Sequence, residues 1–231
     1  MDVESVLEFD RWLLSFFNGS NSLFADNWML ILTSGFTWIP LYFSLLYLVV
    51  KNNETMAQIL LVVGCAALCV VLADGAADFI AKPLVERWRP SNDPIFKYTV
   101  NVVNGMRGTD YGFFSAHAAN TFSVAVFVCC LVKSRVLGTT MILWSLLNCY
   151  TRMYLGLHYP TDILAGLAWG GIVGIAVYCL YCRVYNRISP KNNYVSSHYT
   201  SSGYSLEDVD TVMLVMVATL VYTVMRALFI F

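Results

Sequence analysis

Residues 151–162, with the sequence TRMYLGLHYPTD, place an arginine, a histidine and an aspartate where one apolar segment ends and the next begins. Ionisable residues in such a place are costly in a membrane and are usually functional. Pro160 fits the first position of a helix, so Asp162 would lie in its first turn and orient the ring of His158. The other ring nitrogen would then serve for nucleophilic attack or proton transfer. A structural alternative is an ion pair between Arg152 and Asp162 beside a capping histidine.

Two further clusters contain residues suited to a phosphate group. Lys82 and Arg89 would form a cationic platform where a second apolar segment ends. The alternative is that they are ordinary snorkelling residues, which keep their charged groups in water at the membrane surface. Ser115 is placed to cap the next helix, whose N-terminus attracts anions, and His117 follows it as a possible proton donor. Here the alternative is a capping serine beside a satisfied histidine. The planar guanidinium of Arg152 also suits phosphate or carboxylate.

Taken together, the three clusters resemble the type 2 phosphatidic acid phosphatase superfamily of membrane lipid phosphatases, which shares its site with vanadium haloperoxidases. The family pattern is Lys-x6-Arg-Pro, then Pro-Ser-Gly-His, then Ser-Arg-x5-His-x3-Asp. The matching residues are Lys82, Arg89, Pro90, Ser115, His117, Arg152, His158 and Asp162. The sequence departs from the pattern at Phe114, which replaces proline, at Ala116, which replaces glycine, and at Thr151, which replaces serine.

The resemblance implies a mechanism without a metal or any other cofactor. His158 would attack phosphorus to give a phosphohistidine while Asp162 holds its other nitrogen, and His117 would protonate the departing lipid alkoxide and then activate water. The non-bridging oxygens would be held by Lys82, Arg89, Ser115 and Arg152. The supporting positions would be Pro90, Ala116, Thr151 and Asp78, the last of which is spaced to aim Lys82.

The composition indicates a membrane domain that would position these residues. The chain has 231 residues, of which 58% are hydrophobic and 13% are charged, and its mean hydropathy is +0.62. These values lie outside the range of ordinary soluble domains. A net charge of −1 argues against a nucleic-acid partner, and nothing in the sequence indicates an obligate protein partner. The expected partners are the bilayer and a lipid phosphate.

We predict an all-α polytopic membrane protein with six transmembrane helices. Residues 1–27 would form an amphipathic helix, at residues 3–17, that lies in the membrane interface, followed by a linker. Residues 28–231 would form the six-span domain, since six apolar segments approach the roughly 20 residues that a span needs. Those segments are Trp28–Val50, Thr55–Ala81, Phe113–Val132, Val136–Leu155, Thr161–Cys182 and Thr211–Phe231. Pro40 is a candidate kink in the first.

The distribution of lysine and arginine suggests an orientation. The loop at 183–208 would be cytoplasmic by the positive-inside rule, and the loop at 82–112 would lie outside and carry the active site. The minimal architecture suggests a bacterial inner membrane, with the site on its periplasmic face.

Several functions compete for this sequence. The preferred substrate is undecaprenyl diphosphate, with lipid A as the runner-up, and phosphatidylglycerol phosphate or phosphatidic acid as further candidates. A proton-coupled transporter is a second class, suggested by Asp74 and Asp78 within a span, but it leaves the three clusters unexplained. A metal site at these two carboxylates is conceivable, but the sequence offers no histidine to support it. A vanadate-dependent peroxidase is a third class, against which the six expected spans argue.

Overall fold

The computed structural model describes residues 3–109, 111–188 and 197–229. This part of the chain is built from α-helices joined by short 3-10 turns, without a named strand, so the all-α prediction is confirmed for it. The α-helices are α1 (Val3–Phe17), α2 (Leu23–Thr33), α3 (Ile39–Lys51), α4 (Met56–Gly75), α5 (Lys82–Val85), α6 (Ala116–Val132), α7 (Arg135–Tyr154), α8 (Pro160–Ile188) and α9 (Leu206–Phe229). Helix α1 coincides with the predicted amphipathic helix, and α2 begins at Leu23, ahead of the predicted domain start at residue 28.

Three helical stretches are long and apolar enough to cross a membrane, namely Met56–Val85, Pro160–Ile188 and Leu206–Phe229. Helices α2 and α3, with the turn between them, give a fourth candidate if the bent pair is one span. Helix α6 is apolar but has only 17 residues, and α7 is not among the candidates although it has 20. By length and composition the structure therefore supports three or four spans, and six spans remain a prediction.

The first predicted span is broken rather than continuous. Helix α2 ends at Thr33, Ser34 is extended, and the 3-10 turn Gly35–Trp38 leads into α3 at an angle of 66° to α2. The Trp38 Nε1–H donates to the Leu32 carbonyl over 2.9 Å, which satisfies an acceptor that the end of a helix leaves open. The break thus lies before Pro40, which occupies the first turn of α3 and does not kink it.

The second predicted span extends further than expected. Thr55 caps α4 in a capping box with Gln58, as its position before the apolar run suggests. After Gly75 the helix continues as one wide π turn, Ala76–Ala81, and then as α5 up to Val85. Such wide turns occur often at functional sites, and this one carries Asp78 and leads directly to Lys82.

Close packing of α6 against α8 brings the N-termini of these two helices together. Three glycines four residues apart line the face of α8 that meets α6. A Cβ added at Gly166, Gly170 or Gly174 would lie 2.6, 2.6 or 2.7 Å from the carbonyl oxygen of Ser115, Ala119 or Ser123, respectively. Small residues at this spacing let helix backbones approach closely. The Ser115 N–H consequently donates to the Asp162 carbonyl over 3.1 Å.

Candidate active site

His158 lies in the loop between α7 and α8 and is 2% exposed. Its Nδ1 is 3.0 Å from the Gly112 carbonyl oxygen, and its Nε2 is 2.9 Å from Nη1 of Arg89. A carbonyl accepts and a guanidinium donates, so these contacts assign the proton to Nδ1 and leave the lone pair on Nε2. The lone pair of Nε2 therefore points at a cation, where an anionic group would bind.

The surroundings of His158 keep its ring neutral. Burial is the main cause that lowers its pKa from 6.5 to about 4; Asp162 raises the pKa, and the positive charges of Arg89 and Arg152 lower it. A histidine nucleophile must be unprotonated to attack, so at neutral pH this ring is already in the reactive form.

Asp162 is fully buried in the first turn of α8, which begins at Pro160 as predicted. Its Oδ2 accepts the Tyr159 N–H over 3.0 Å and lies 3.8 Å from Nδ1 of His158, which is beyond hydrogen-bond distance. Its Oδ1 accepts from Arg87 over 2.8 Å. The expected hydrogen bond from Nδ1 to Asp162 is thus replaced by one to the Gly112 carbonyl, with the carboxylate close behind it.

The loop at 82–112 holds Arg89 against His158. The Arg89 Nε–H donates to the Thr109 carbonyl over 2.9 Å, and Nη1 donates to the Leu157 carbonyl over 3.2 Å. A Cβ at Gly108 would meet the Arg89 side chain at 2.5 Å, so glycine at this position makes room for the guanidinium. Backbone carbonyls of two separate loops therefore hold the Arg89 guanidinium in place.

Arg152 approaches from the last turn of α7. Its Nη1 donates to the Thr33 hydroxyl over 2.8 Å, while its Nε is buried without a hydrogen-bond partner among the described residues. A buried donor without a partner is costly, and it marks a place where an acceptor would be stabilised. Arg152 interacts electrostatically with both Arg89 and His158, which places the three predicted residues in one site.

Helix α6 contributes Ser115 and His117. Ser115 is fully buried and caps the helix by accepting the Ala118 N–H over 3.3 Å, which confirms the predicted cap. His117 lies in the first turn and interacts with the Asn148 side chain, but its buried Nε2 makes no direct hydrogen bond in the described parts of the chain. Arg152 acts on it electrostatically, so His117 belongs to the same cluster.

The family model for the PAP2 superfamily matches residues 55–186, which include all three clusters. The chain belongs to the PAP2 superfamily. It is 42% identical to the lipid A 4'-phosphatase of Bacteroides thetaiotaomicron, over 80% of this chain and 83% of that protein. It is 33% identical to the lipid A 4'-phosphatase of Porphyromonas gingivalis, over 80% of this chain and 78% of that protein. The protein is therefore a membrane lipid phosphatase.

A more distant relative is the undecaprenyl-diphosphatase BcrC of Bacillus subtilis. The chain is 28% identical to it over 85 residues, which are 37% of this chain and 42% of that protein. No solved structure matches the chain.

Lys82 is the PAP2 position whose described contact is with a carboxylate rather than with another residue of the three clusters. Its Nζ forms an ion pair with Asp78, as the spacing of four predicts, and Asp78 is half exposed. Among the contacts described, none joins Lys82 to Arg89, Arg152 or His158. The role of Lys82 in binding phosphate therefore rests on its match to the PAP2 pattern.

The supporting positions of the PAP2 pattern have structural roles here. Pro90 is buried and starts the 3-10 turn that follows Arg89, and the Thr151 hydroxyl donates to the Asn148 carbonyl over 2.7 Å. Phe114, which replaces the family proline, is buried in a small apolar cluster against which Ala116 also packs. The methyl group that Ala116 adds thus contacts apolar side chains.

An apolar cavity of about 560 Å³ leads away from His117. It lies between α3, α4 and α6, and its lining along α6 runs from His117 to Val132, a length of about 22 Å at 1.5 Å per residue. Its walls are aliphatic and aromatic, and its polar lining near His117 includes Asn120. A hydrocarbon chain would fit this cavity with its phosphate end at the histidine.

Sequence reasoning missed several residues of the site. Arg87 and Gly112 contact Asp162 and His158 directly, and Asp10 of α1 contacts Arg87. Arg87 stands two residues before Arg89, but nothing in its spacing distinguishes it from a surface arginine. Gly112 acts through its backbone carbonyl, which no residue type reveals. Asp10 looks like one of several polar residues of an amphipathic helix.

Proposed function

We propose that the protein hydrolyses a phosphate ester of a lipid, without a metal, through a phosphohistidine at His158. The observation that carries this proposal is the pairing of a buried, neutral imidazole with a cluster of donors. Nε2 of His158 faces Arg89, while Nε of Arg152 and Nε2 of His117 are buried beside it without described partners. A phosphoryl group would supply the acceptors that Nε of Arg152 and Nε2 of His117 do not find within the described chain.

In the proposed first step, the Nε2 lone pair of His158 attacks phosphorus and the bond from phosphorus to the lipid oxygen breaks. His117, whose protonated form the negative charge of the bound phosphate would favour, gives its proton to that oxygen, so that a neutral alcohol leaves. In the second step, His117 takes a proton from water, the resulting hydroxide attacks phosphorus, and the bond from Nε2 to phosphorus breaks. Inorganic phosphate is released and both histidines return to their starting states.

The negative charge on the phosphoryl oxygens would be stabilised by Arg89, by Arg152, by the N-terminus of α6 at Ser115, and by Lys82. Electrostatic stabilisation of this kind supplies most of the catalysis in phosphoryl transfer. Among the described residues, no group of three or more His, Cys, Asp or Glu side chains is arranged to hold a metal ion.

For the substrate we propose the 4'-phosphate of lipid A or of a similar phosphorylated glycolipid. Two relatives that match about four fifths of the chain are named for that activity. Undecaprenyl diphosphate, the preference from sequence alone, becomes the second candidate, supported by a relative that covers a smaller part of the chain. The cavity that ends at His117 suits the acyl chains of the first or the prenyl chain of the second.

We further propose that the chain crosses a bacterial inner membrane six times and presents its site on the periplasmic face, with α1 in the interface. The exposed side chains of Phe9, Trp12 and Phe16 on α1 support the last point, because aromatic residues favour the interface. A transporter is less well supported, since Asp74 is engaged by the Asn120 amide over 2.6 Å between α4 and α6. A vanadate-dependent peroxidase would use the same anion site, and vanadate should instead act as an inhibitor.

The test is phosphate release by the purified protein in detergent containing EDTA, with lipid A, undecaprenyl diphosphate, phosphatidylglycerol phosphate and phosphatidic acid. His158→Ala should abolish release, and His198→Ala, which changes a histidine far along the sequence from the three clusters, should not. Release from lipid A alone would identify the substrate class. Appreciable turnover by His158→Ala would refute the proposed nucleophile, and halide oxidation after addition of vanadate would favour a peroxidase.

A further inference from the structure

Helix α1 has two contrasting faces. Phe9, Trp12 and Phe16 are 52%, 57% and 67% exposed, whereas Asp10 and Leu14 on the other face are 0% and 1% exposed. Burying a carboxylate is costly unless a cation and hydrogen bonds compensate it. An interfacial helix would not need such a residue for membrane binding, so the contacts of Asp10 call for a separate explanation.

Asp10 binds the N-terminus of α8. Its Oδ1 accepts the Thr161 N–H over 3.1 Å, and its Oδ2 accepts the Thr161 hydroxyl and Nη2 of Arg87, the latter over 2.5 Å. Thr161 is the second residue of α8, where backbone N–H groups have no partner within the helix. Asp10 therefore caps α8 from a different helix and places a negative charge at its positive end.

Arg87 connects Asp10 to Asp162 and to the loop between α7 and α8, which carries His158. Its Nη1 donates to Asp162 Oδ1 over 2.8 Å and to the Thr161 hydroxyl over 2.7 Å, and its guanidinium lies 4.3 Å from the centre of the Tyr159 ring. Two buried carboxylates thus share one guanidinium. The position of Asp162, and with it the distance to His158, depends on how strongly Asp10 competes for Arg87.

The next residue of α1 provides a second tether to the same loop. The Arg11 Nη2 donates to Asp93 over 3.1 Å, and Asp93 also accepts the Tyr159 hydroxyl over 3.2 Å. Burial tends to raise the pKa of Asp93, but the backbone N–H groups of Phe96 and Ile95 and the side chain of Arg11 lower it overall, so the carboxylate is charged at neutral pH. Consecutive residues of α1 thereby hold Tyr159, the neighbour of His158, from two sides.

We propose that Asp10 is a positioning residue of the active site, which acts through Arg87 on Asp162 and on the loop that carries His158. This inference rests on the proposed role of His158 as the nucleophile. It makes α1 a part of the catalytic apparatus in addition to its proposed place in the interface. Asp10 contacts none of the groups around Nε2 of His158, so its loss should slow the reaction without weakening phosphate binding.

The test compares Asp10→Asn with Glu8→Gln in the full-length protein. Both variants remove one negative charge from α1, but Glu8 is exposed, whereas Asp10 is buried. We expect Asp10→Asn to lower kcat by roughly 10- to 100-fold, because shifts of under 1 Å in a site have effects of this size, and to change KM by less than about twofold. Glu8→Gln should behave as the wild-type protein.

The number of intact active sites distinguishes a loss of positioning in Asp10→Asn from a loss of folded protein. Bound vanadate gives the number of intact phosphate sites, and kcat is expressed per site. A loss of sites with unchanged kcat per site would overturn the proposal, because Asp10 would then only stabilise the fold. Unchanged activity of Asp10→Asn, with His158→Ala inactive, would overturn it and leave the proposed function intact; turnover by His158→Ala would instead remove the proposed function itself.

A double variant tests the route through Arg87. Removal of Arg87 should make the later removal of Asp10 almost without effect, since groups that act in one chain are not additive. Arg87→Gln and the double variant Asp10→Asn with Arg87→Gln should therefore have the same kcat per site within about threefold. A further tenfold loss in the double variant would overturn the proposal. This pair also serves if Asp10→Asn alone does not fold, since the double variant removes one charge of each sign and leaves Asp162 its hydrogen bond from the Tyr159 N–H.

Discussion

Replacement of Gly170 by alanine should move the two halves of the active site apart. A Cβ at this position would lie 2.6 Å from the Ala119 carbonyl oxygen and 3.1 Å from the Ala119 Cα, all backbone atoms of α6 that no side-chain rotation can clear. Gly170 stands two helical turns after Asp162 on α8, and Ala119 stands two residues after His117 on α6. The clash therefore acts directly on the separation between His117, the proposed acid, and Asp162, which lies behind His158.

The size of the movement follows from the contact. An ordinary van der Waals contact begins at 3.4 Å, so the oxygen must withdraw by about 0.8 Å, which is 3.4 minus 2.6. Overpacking of this kind costs about 1–3 kcal/mol, which a folded protein survives. A displacement approaching 1 Å can lower the rate by about 100-fold. We expect kcat to fall by roughly 10- to 100-fold in a protein that still folds.

The neighbouring residue provides a matched control. A Cβ at Gly171 would meet the Phe122 ring at 3.4 Å, which is an ordinary contact, and Gly171→Ala makes the same gain in helix propensity of about 1 kcal/mol. Phosphate release and the Tm in detergent would be measured for both variants. If Gly170→Ala kept full activity and a Tm no lower than that of Gly171→Ala, the close approach of α8 to α6 would not be what positions the site.

Three further outcomes follow from the contacts of the site. Arg89→Lys should lower kcat/KM by about 100-fold because the planar guanidinium is lost, whereas Arg107→Lys should have little effect, since the described contact of Arg107 is with the Ser91 carbonyl; equal losses would show that the guanidinium of Arg89 has no special role. The pKa of about 4 for His158 predicts that kcat/KM does not fall as the pH is lowered through 6.5, whereas a fall at higher pH would report the loss of the proton from His117; a fall on the acid side centred near pH 6.5 would contradict this. The lowered pKa of Asp93 means that it contributes stability above its unfolded pKa of about 3.9, which is lost as the pH falls further. Asp93→Asn should lower the Tm at pH 7 and make it less dependent on pH in acid, and a Tm unchanged at both pH values would contradict this.

Helix positions were predictable where the chain is uniformly apolar and has clear ends. Thr55 and Ser115 cap their helices, and Pro160 starts α8, because each has the chemistry that a helix N-terminus requires. The break between α2 and α3 was not predictable from hydropathy, since the residues on both sides are equally apolar. It depends on hydrogen bonds that Thr37 and Trp38 return to α2, and these exist only in the folded turn.

The site was predictable in its chemistry more than in its geometry. Spacing within each cluster indicated which residues would handle a phosphate, and the structure brings Arg89, Arg152 and His158 together. The partners that orient them come from distant parts of the sequence and leave no local pattern, as with Asp10, which lies 77 residues before Arg87 and 151 before Thr161. A backbone carbonyl, that of Gly112, takes the place expected for Asp162.

The hydrogen bond of His158 Nδ1 to the Gly112 carbonyl, in place of one to Asp162, matters for the proposed catalysis. Before reaction the His158 ring is neutral, and a neutral carbonyl is a sufficient partner for its Nδ1–H. In the proposed mechanism the ring would become positively charged once Nε2 bonds to phosphorus, and Asp162 at 3.8 Å would then attract it by about 4 kcal/mol at an effective dielectric constant of 20. The hydrogen bond from Arg87 reduces this value but fixes the carboxylate in place. Because the attraction would arise only as charge develops, Asp162 would favour the proposed phosphorylated state over the free enzyme, which is the condition for lowering the barrier rather than merely holding the histidine.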